Sequence, residues 1–103
     1  MYDLAVCLEA IRKNNWRRLY DSIVASIGDY TFELILCGPY DEGPDDMKDL
    51  ENVRYIQDFG SPTRAQQISM IAAKGRYVTW AADDGWYVPF GGDTTKITLA
   101  QCI

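Results

Sequence analysis

No histidine occurs anywhere in the 103 residues of this chain. That leaves zinc-hydrolase and Ser-His-Asp chemistry without support. Cysteine is scarce: Cys7, Cys37 and Cys102 are far apart, odd in number, and form no C-x-x-C pair. Such spacing fits reduced, buried thiols in a cytoplasmic protein better than a disulfide or zinc framework. No apolar run reaches membrane length, and Asp3 and Glu9 interrupt the amino-terminal one. Neither a secretory leader nor membrane insertion is expected. Basic charge is also short, with 10 Lys and Arg against 15 Asp and Glu for a net charge of −5. Broad nucleic-acid binding needs a basic surface and is not expected. Internal repeats, low-complexity tracts and linkers are missing too. What remains is 103 residues of ordinary globular composition, 48% hydrophobic, expected to form one domain with one modest core.

Charge is unevenly spread. Arg12, Lys13, Arg17 and Arg18 fall close together, and Asp41, Glu42, Asp45, Asp46, Asp49 and Glu51 form an acidic segment. Either cluster reads as a solvated face or as part of a site. The clearest structural signals are apolar. Tyr2 to Leu8 is a short apolar run that predicts a buried strand. Trp16, Leu19, Tyr20, Ile23, Val24 and Ile27 recur at helical spacing. Asn14 or Asn15 suits the start of that helix and Gly28 its end.

Thr31 to Cys37 predicts a second strand, ended by Gly38-Pro39. Pro44 suits the start of a short acidic helix running to about Leu50. Val53 to Ile56 predicts a third strand. Ser61-Pro62 reads as a cap followed by proline at the first helical position. The helix behind it is expected to bury Ala65, Ile68, Ile71 and Ala72 and to end at Gly75.

Arg76 to Ala82 then predicts a fourth strand, apolar on both faces, running into Asp83-Asp84-Gly85. The order β-α-β-α-β-α-β with short connections predicts a small doubly wound parallel sheet of order 3-2-1-4. The carboxyl ends of such strands are where open α/β sheets bind ligands, at the point where the winding reverses. Asp83 and Asp84 converge there with Glu9 to Lys13. Two acids at that place suit a hard cation, and a hard cation suits a phosphate-bearing substrate. Asp-Asp-Gly is also good turn chemistry, which is the competing reading. Beyond Gly85, Trp86 to Phe90 is apolar but broken by Pro89, and Asp93 suits the cap of a last helix carrying Ile97, Ala100 and Ile103.

The runs FELILCGP and NVRYIQDFGSPTRAQQISMIAAKGRYVTWAADDGW resemble the donor-binding half of family 2 glycosyltransferases with the GT-A fold. In that family a strand of the form G-[ER]-Y-[IV]-x-[FW] runs into a D-x-D motif. The likeness extends from Tyr2 to Trp86 and is strongest from Asn52 onward. It implies that Asp84, with Asp83, holds Mn²⁺ or Mg²⁺ against a diphosphate. It further implies that Asp83 contacts ribose, that Arg64 lies near the nucleotide, and that Leu8, Glu9, Ala10, Arg12 and Gly38 line the nucleoside.

The chain departs from the family where Ala82 replaces the first acid of D-x-D and where Cys37-Gly38-Pro39 replaces an acid that recognises the base. Asp41 is a substitute candidate from the loop. The acceptor-binding half, which supplies the general base in inverting members, has no counterpart here except Asp93, so the catalytic residue is unknown. The expectation is a minimal transferase for a nucleoside diphosphate sugar, UDP-linked by preference, with an unassigned acceptor. A non-catalytic nucleotide-sugar or partner-binding module is the alternative. The apolar cluster Trp86, Tyr87, Val88 and Phe90 points to a homo-oligomer.

Overall fold

Strands β1 (Leu4–Glu9) and β2 (Phe32–Gly38) are the two hydrophobic runs of the sequence, and they lie side by side at the centre of the molecule. The computed structural model describes residues 2–10, 12–41, 43, 47, 49–60 and 62–82. Strand β3 (Val53–Gln57) pairs with β2, and β4 (Tyr77–Ala82) pairs with β1. All pairings are parallel, and the order is β3-β2-β1-β4, as the short connections predict.

Every residue of β2 is buried, and so is every residue of β1 except the half-buried Glu9. Helix α1 (Trp16–Ile27), entered through a 3₁₀ turn at Lys13–Asn15, connects β1 to β2; α2 (Pro62–Ala72) connects β3 to β4. The first connection steps one way along the sheet and the second returns past both central strands. Right-handed crossovers therefore put the two helices on opposite faces.

On the α1 face, Leu4, Val6 and Leu8 meet Phe32, Leu34 and Leu36. Trp16, Leu19, Ile23 and Ile27 cover them. Side chains alternate along a strand, so Ala5, Cys7, Glu33, Ile35 and Cys37 face α2. There Glu33 is buried and accepts from Arg54 Nη2 and from the Lys74 backbone N–H, each at 2.6 Å. Arg54 Nη2 also donates to the Ala72 carbonyl at 2.6 Å, one of the carbonyls left open at the end of α2. Gly75 then crosses against β1, where a Cβ would overlap Ala5 N and Leu4 C. Only glycine permits that approach.

Several expectations change in detail. Val24 is 50% exposed, because α1 turns its Leu19 flank inward and buries Ser26 instead. Asn15 stands at the helix start without a side-chain cap, since its backbone is helical (φ −98°, ψ −11°) rather than extended. Gly28 ends α1 at φ 66°, as expected.

On α2, Ala65 and Ser69 are buried whereas Ile71 is 84% exposed, and the helix stops at Ala72 rather than at Gly75. Strand β4 is not buried: Tyr77, Val78 and Trp80 are all exposed, because the strand order makes β4 an edge. Cys7 and Cys37 are free, buried thiols. Most of the expected helix from Pro44 to Leu50, the Ser61 cap, Cys102 and everything from Asp83 to Ile103 lie outside the described residues. Among the described residues, no helix is long and apolar enough to cross a membrane.

Candidate functional site

At the carboxyl edge of the sheet, Glu9 sits in register between Cys37 of β2 and Ala82 of β4. The chain then turns over the end of β2. Ala10 is buried and donates its N–H to the Cys37 carbonyl at 2.8 Å. Gly38 receives this turn, and a Cβ there would overlap the Ala10 carbonyl oxygen. Glycine is thus the residue that lets the loop after β1 close against β2.

The Gly38 carbonyl accepts from the Asp58 backbone N–H at 2.8 Å. Asp58 follows β3, and its carboxylate is used on both oxygens. Oδ1 accepts from Arg64 Nε at 3.1 Å, and Oδ2 accepts from the Gly60 backbone N–H at 2.9 Å. The second contact is an Asx turn. Arg64 stands in the first turn of α2, with its side chain 64% exposed against 15% for Asp58. A Cβ on Gly60 would overlap Arg64 Cδ, so the arginine stem lies across that glycine. Burial pushes the Cys37 thiol above its ordinary range; the Asp58 charge adds to the rise and Arg64 opposes it.

Beneath this edge lies a group of aromatic rings. Trp16 meets Tyr40 edge-on at 5.9 Å and Tyr55 at 5.8 Å between ring centroids. Tyr55 Oη accepts from the Tyr40 backbone N–H at 2.7 Å, and Lys13 Nζ lies 4.5 Å from the Tyr40 ring centre. Burial raises the Tyr55 phenol, and the Tyr40 N–H opposes that rise. Asp41 Oδ1 accepts from Gln57 Nε2 at 2.9 Å, tying the loop after β2 to the end of β3. Among the described residues, the buried Trp16 Nε1 has no hydrogen-bond partner.

Of the residues read from sequence, Glu9, Ala10 and Gly38 come together at this edge, and the Asp58 link brings Arg64 to it. Leu8 belongs to the core, where it is fully buried. Arg12 is exposed at the start of the 3₁₀ turn, its carbonyl accepting from the Asn15 N–H at 3.0 Å. Asp83 and Asp84 lie outside the described residues; they follow Ala82, which is in register with Glu9.

Asp58 is the residue that sequence reading passed over, although Asp-x-Gly is a recognisable turn signal. Tyr40, Tyr55 and Trp16 carried no such signal, because they meet only through the fold. No protein-family model matches the chain, and no curated protein matches it.

Proposed function

We propose that the carboxyl edge of this sheet binds a nucleoside diphosphate sugar, UDP-linked by preference, and that the protein is a metal-dependent GT-A-type glycosyltransferase. The observation that carries this reading is the register of Glu9 with Ala82, beside the turn that Ala10 makes over Gly38. The two consecutive carboxylates of Asp83 and Asp84 follow Ala82 directly in sequence. In this reading Asp84, with Asp83, holds Mn²⁺ or Mg²⁺. The donor chemistry fits, since carboxylate oxygens are the preferred ligands of hard cations. When bound, the cation offsets negative charge on the departing diphosphate.

The chain's own residues supply the rest. Glu9, Ala10 and Arg12 line the nucleoside, with Leu8 buttressing them from the core. Gly38 leaves room for close approach of the backbone. Arg64 donates charge-assisted hydrogen bonds to the diphosphate. The protein acts in the cytoplasm on an unassigned acceptor and pairs with a second copy. The exposed apolar residues of β4 suit that pairing.

The second reading is a module that binds the nucleotide sugar, or a partner chain, without transferring sugar. Both readings share one test. Titration calorimetry with UDP, GDP, CDP and their sugars should show binding that requires Mn²⁺ and disappears in Asp84→Ala. A wild-type protein that binds no nucleoside diphosphate at millimolar concentration with Mn²⁺ would falsify the donor site. Release of free or transferred sugar separates the enzyme from the module.

A further inference from the structure

We propose that Asp58 is a positioning residue: it fixes Arg64 beside the end of β2, so that an anionic ligand meets the guanidinium in one orientation. The ligand half of this inference rests on the donor-site reading above; the positioning half does not. An arginine whose side chain is 64% exposed would, left alone, sample many rotamers. Here Asp58, one of its partners, is itself immobilised. Asp58 is anchored through its N–H to the Gly38 carbonyl and through Oδ2 to the Gly60 N–H, which leaves Oδ1 aimed at Arg64 Nε.

Contact through Nε holds the guanidinium by its inner edge, next to the stem, and so sets the direction of the fork. Gly60 completes the bracket, since any side chain there would displace the arginine stem. The same anchor on Gly38 joins Asp58 to the turn that carries Ala10 and Glu9. Asp58 therefore links the three strand ends β1, β2 and β3 to the first turn of α2. The exposed arginine is screened by solvent, so the pair adds little stability by charge alone; the anchored carboxylate sets where the guanidinium sits.

Asp58→Asn tests the idea, because an asparagine oxygen still accepts from the Gly60 N–H while the charge is lost. In the ligand-free wild type, the Arg64 Nε–Hε NMR signal should be dispersed and slow to exchange. In Asp58→Asn it should shift and exchange faster, because Nε loses its carboxylate acceptor. UDP with Mn²⁺ should bind the variant roughly tenfold more weakly, as expected when a charge-assisted contact loses its preorganisation.

Arg64→Lys approaches the pair from the other side: it keeps the charge, lacks Nε, and should lose a similar factor. Adding Asp58→Asn to Arg64→Ala should cost nothing beyond Arg64→Ala alone. Unchanged or tighter UDP binding in Asp58→Asn makes the aspartate a bystander or a competitor of the ligand and overturns the proposal. An Nε–Hε signal that does not respond overturns it as well, whatever UDP does. A wild type that binds no UDP sinks the donor-site reading and the ligand half with it, and the NMR signal still decides the positioning half.

Discussion

Helix α1 presents Trp16, Leu19, Ile23 and Ile27 to its face of the sheet, whereas α2 presents Ala65 and Ser69 to the other. The first face is held by apolar volume. Burying each large side chain there contributes about 1.5–3 kcal/mol. The second buries Ala5, Cys7, Ile35 and Cys37 of the strands under small helix residues, and the Ser69 hydroxyl is turned back onto the Ala65 carbonyl at 2.8 Å.

What holds α2 is polar and sits at its ends. Arg54 and Glu33 grip the Ala72 carbonyl and the Lys74 N–H at one end, and Asp58 meets Arg64 at the other. Apolar packing fixes how deep a helix lies and tolerates small slides. Hydrogen bonds at both ends fix where those ends are. Of the candidate site, Asp58 and Arg64 therefore belong to the polar contacts that set the ends of α2, whereas Ala10 belongs to the apolar cluster under α1.

The strongest way to break this contrast is Ile23→Ala. Ile23 is fully buried on the α1 face, and truncation should cost about 2–5 kcal/mol in urea unfolding. A loss below about 1 kcal/mol would mean that the α1 face is loosely packed and that the two faces do not differ as described.

Glu33→Gln addresses the other face. The amide keeps one acceptor for two donors and sets its own N–H₂ against either Arg54 or the Lys74 N–H. Arg54 is partly exposed, so water takes up some of the loss. The expected cost is roughly 1–3 kcal/mol, smaller than that of Ile23→Ala. A larger cost than Ile23→Ala would reverse the ranking of the two faces and make the polar clasp the main restraint on the fold.

The same contrast explains what could be read from sequence. Strands β1 and β2 were legible because a parallel strand buried on both faces needs an apolar run: Leu4 to Leu8 is unbroken, and Phe32 to Cys37 is interrupted only by Glu33. Helix α1 was legible because its large residues recur with helical spacing. The order 3-2-1-4 followed from short connections and right-handed crossovers.

Helix α2 was harder, because Ile68, Ile71 and Ala72 fit the period as well as Ala65 and Ser69 do. Its clasp also draws on Glu33, 41 positions before Lys74, a separation no local pattern spans. Strand β4 reads as buried from its composition and is an edge only because of the strand order. At the candidate site, the place of Glu9 at the end of the first strand was legible from topology, whereas Gly38 and Arg64 were named through the family resemblance. Asp58 was not legible, since its importance lies in joining Gly38, Gly60 and Arg64 in space. The proposed metal site, Asp83 and Asp84, rests on sequence alone.

Ile71→Ser gives the smallest expected effect and the sharpest test of how α2 sits. Helical period alone puts Ile71 on the inward face, where its loss would cost several kcal/mol, as for Ile23. The fold instead leaves it 84% exposed on the flank of α2. Isoleucine and serine have similar helix propensities, so an exposed exchange should change stability by no more than about 0.5 kcal/mol. A loss above about 1 kcal/mol would show that Ile71 is covered in solution. The concentration dependence of the melting temperature then tells by what: a loss seen only at high protein concentration points to a second copy, because association stabilises by mass action. A loss independent of concentration means that α2 is rotated, with Ile71 rather than Ser69 toward the sheet. That rotation would carry Arg64 away from Asp58, so a simple stability measurement on one exposed side chain also bears on the geometry of the site.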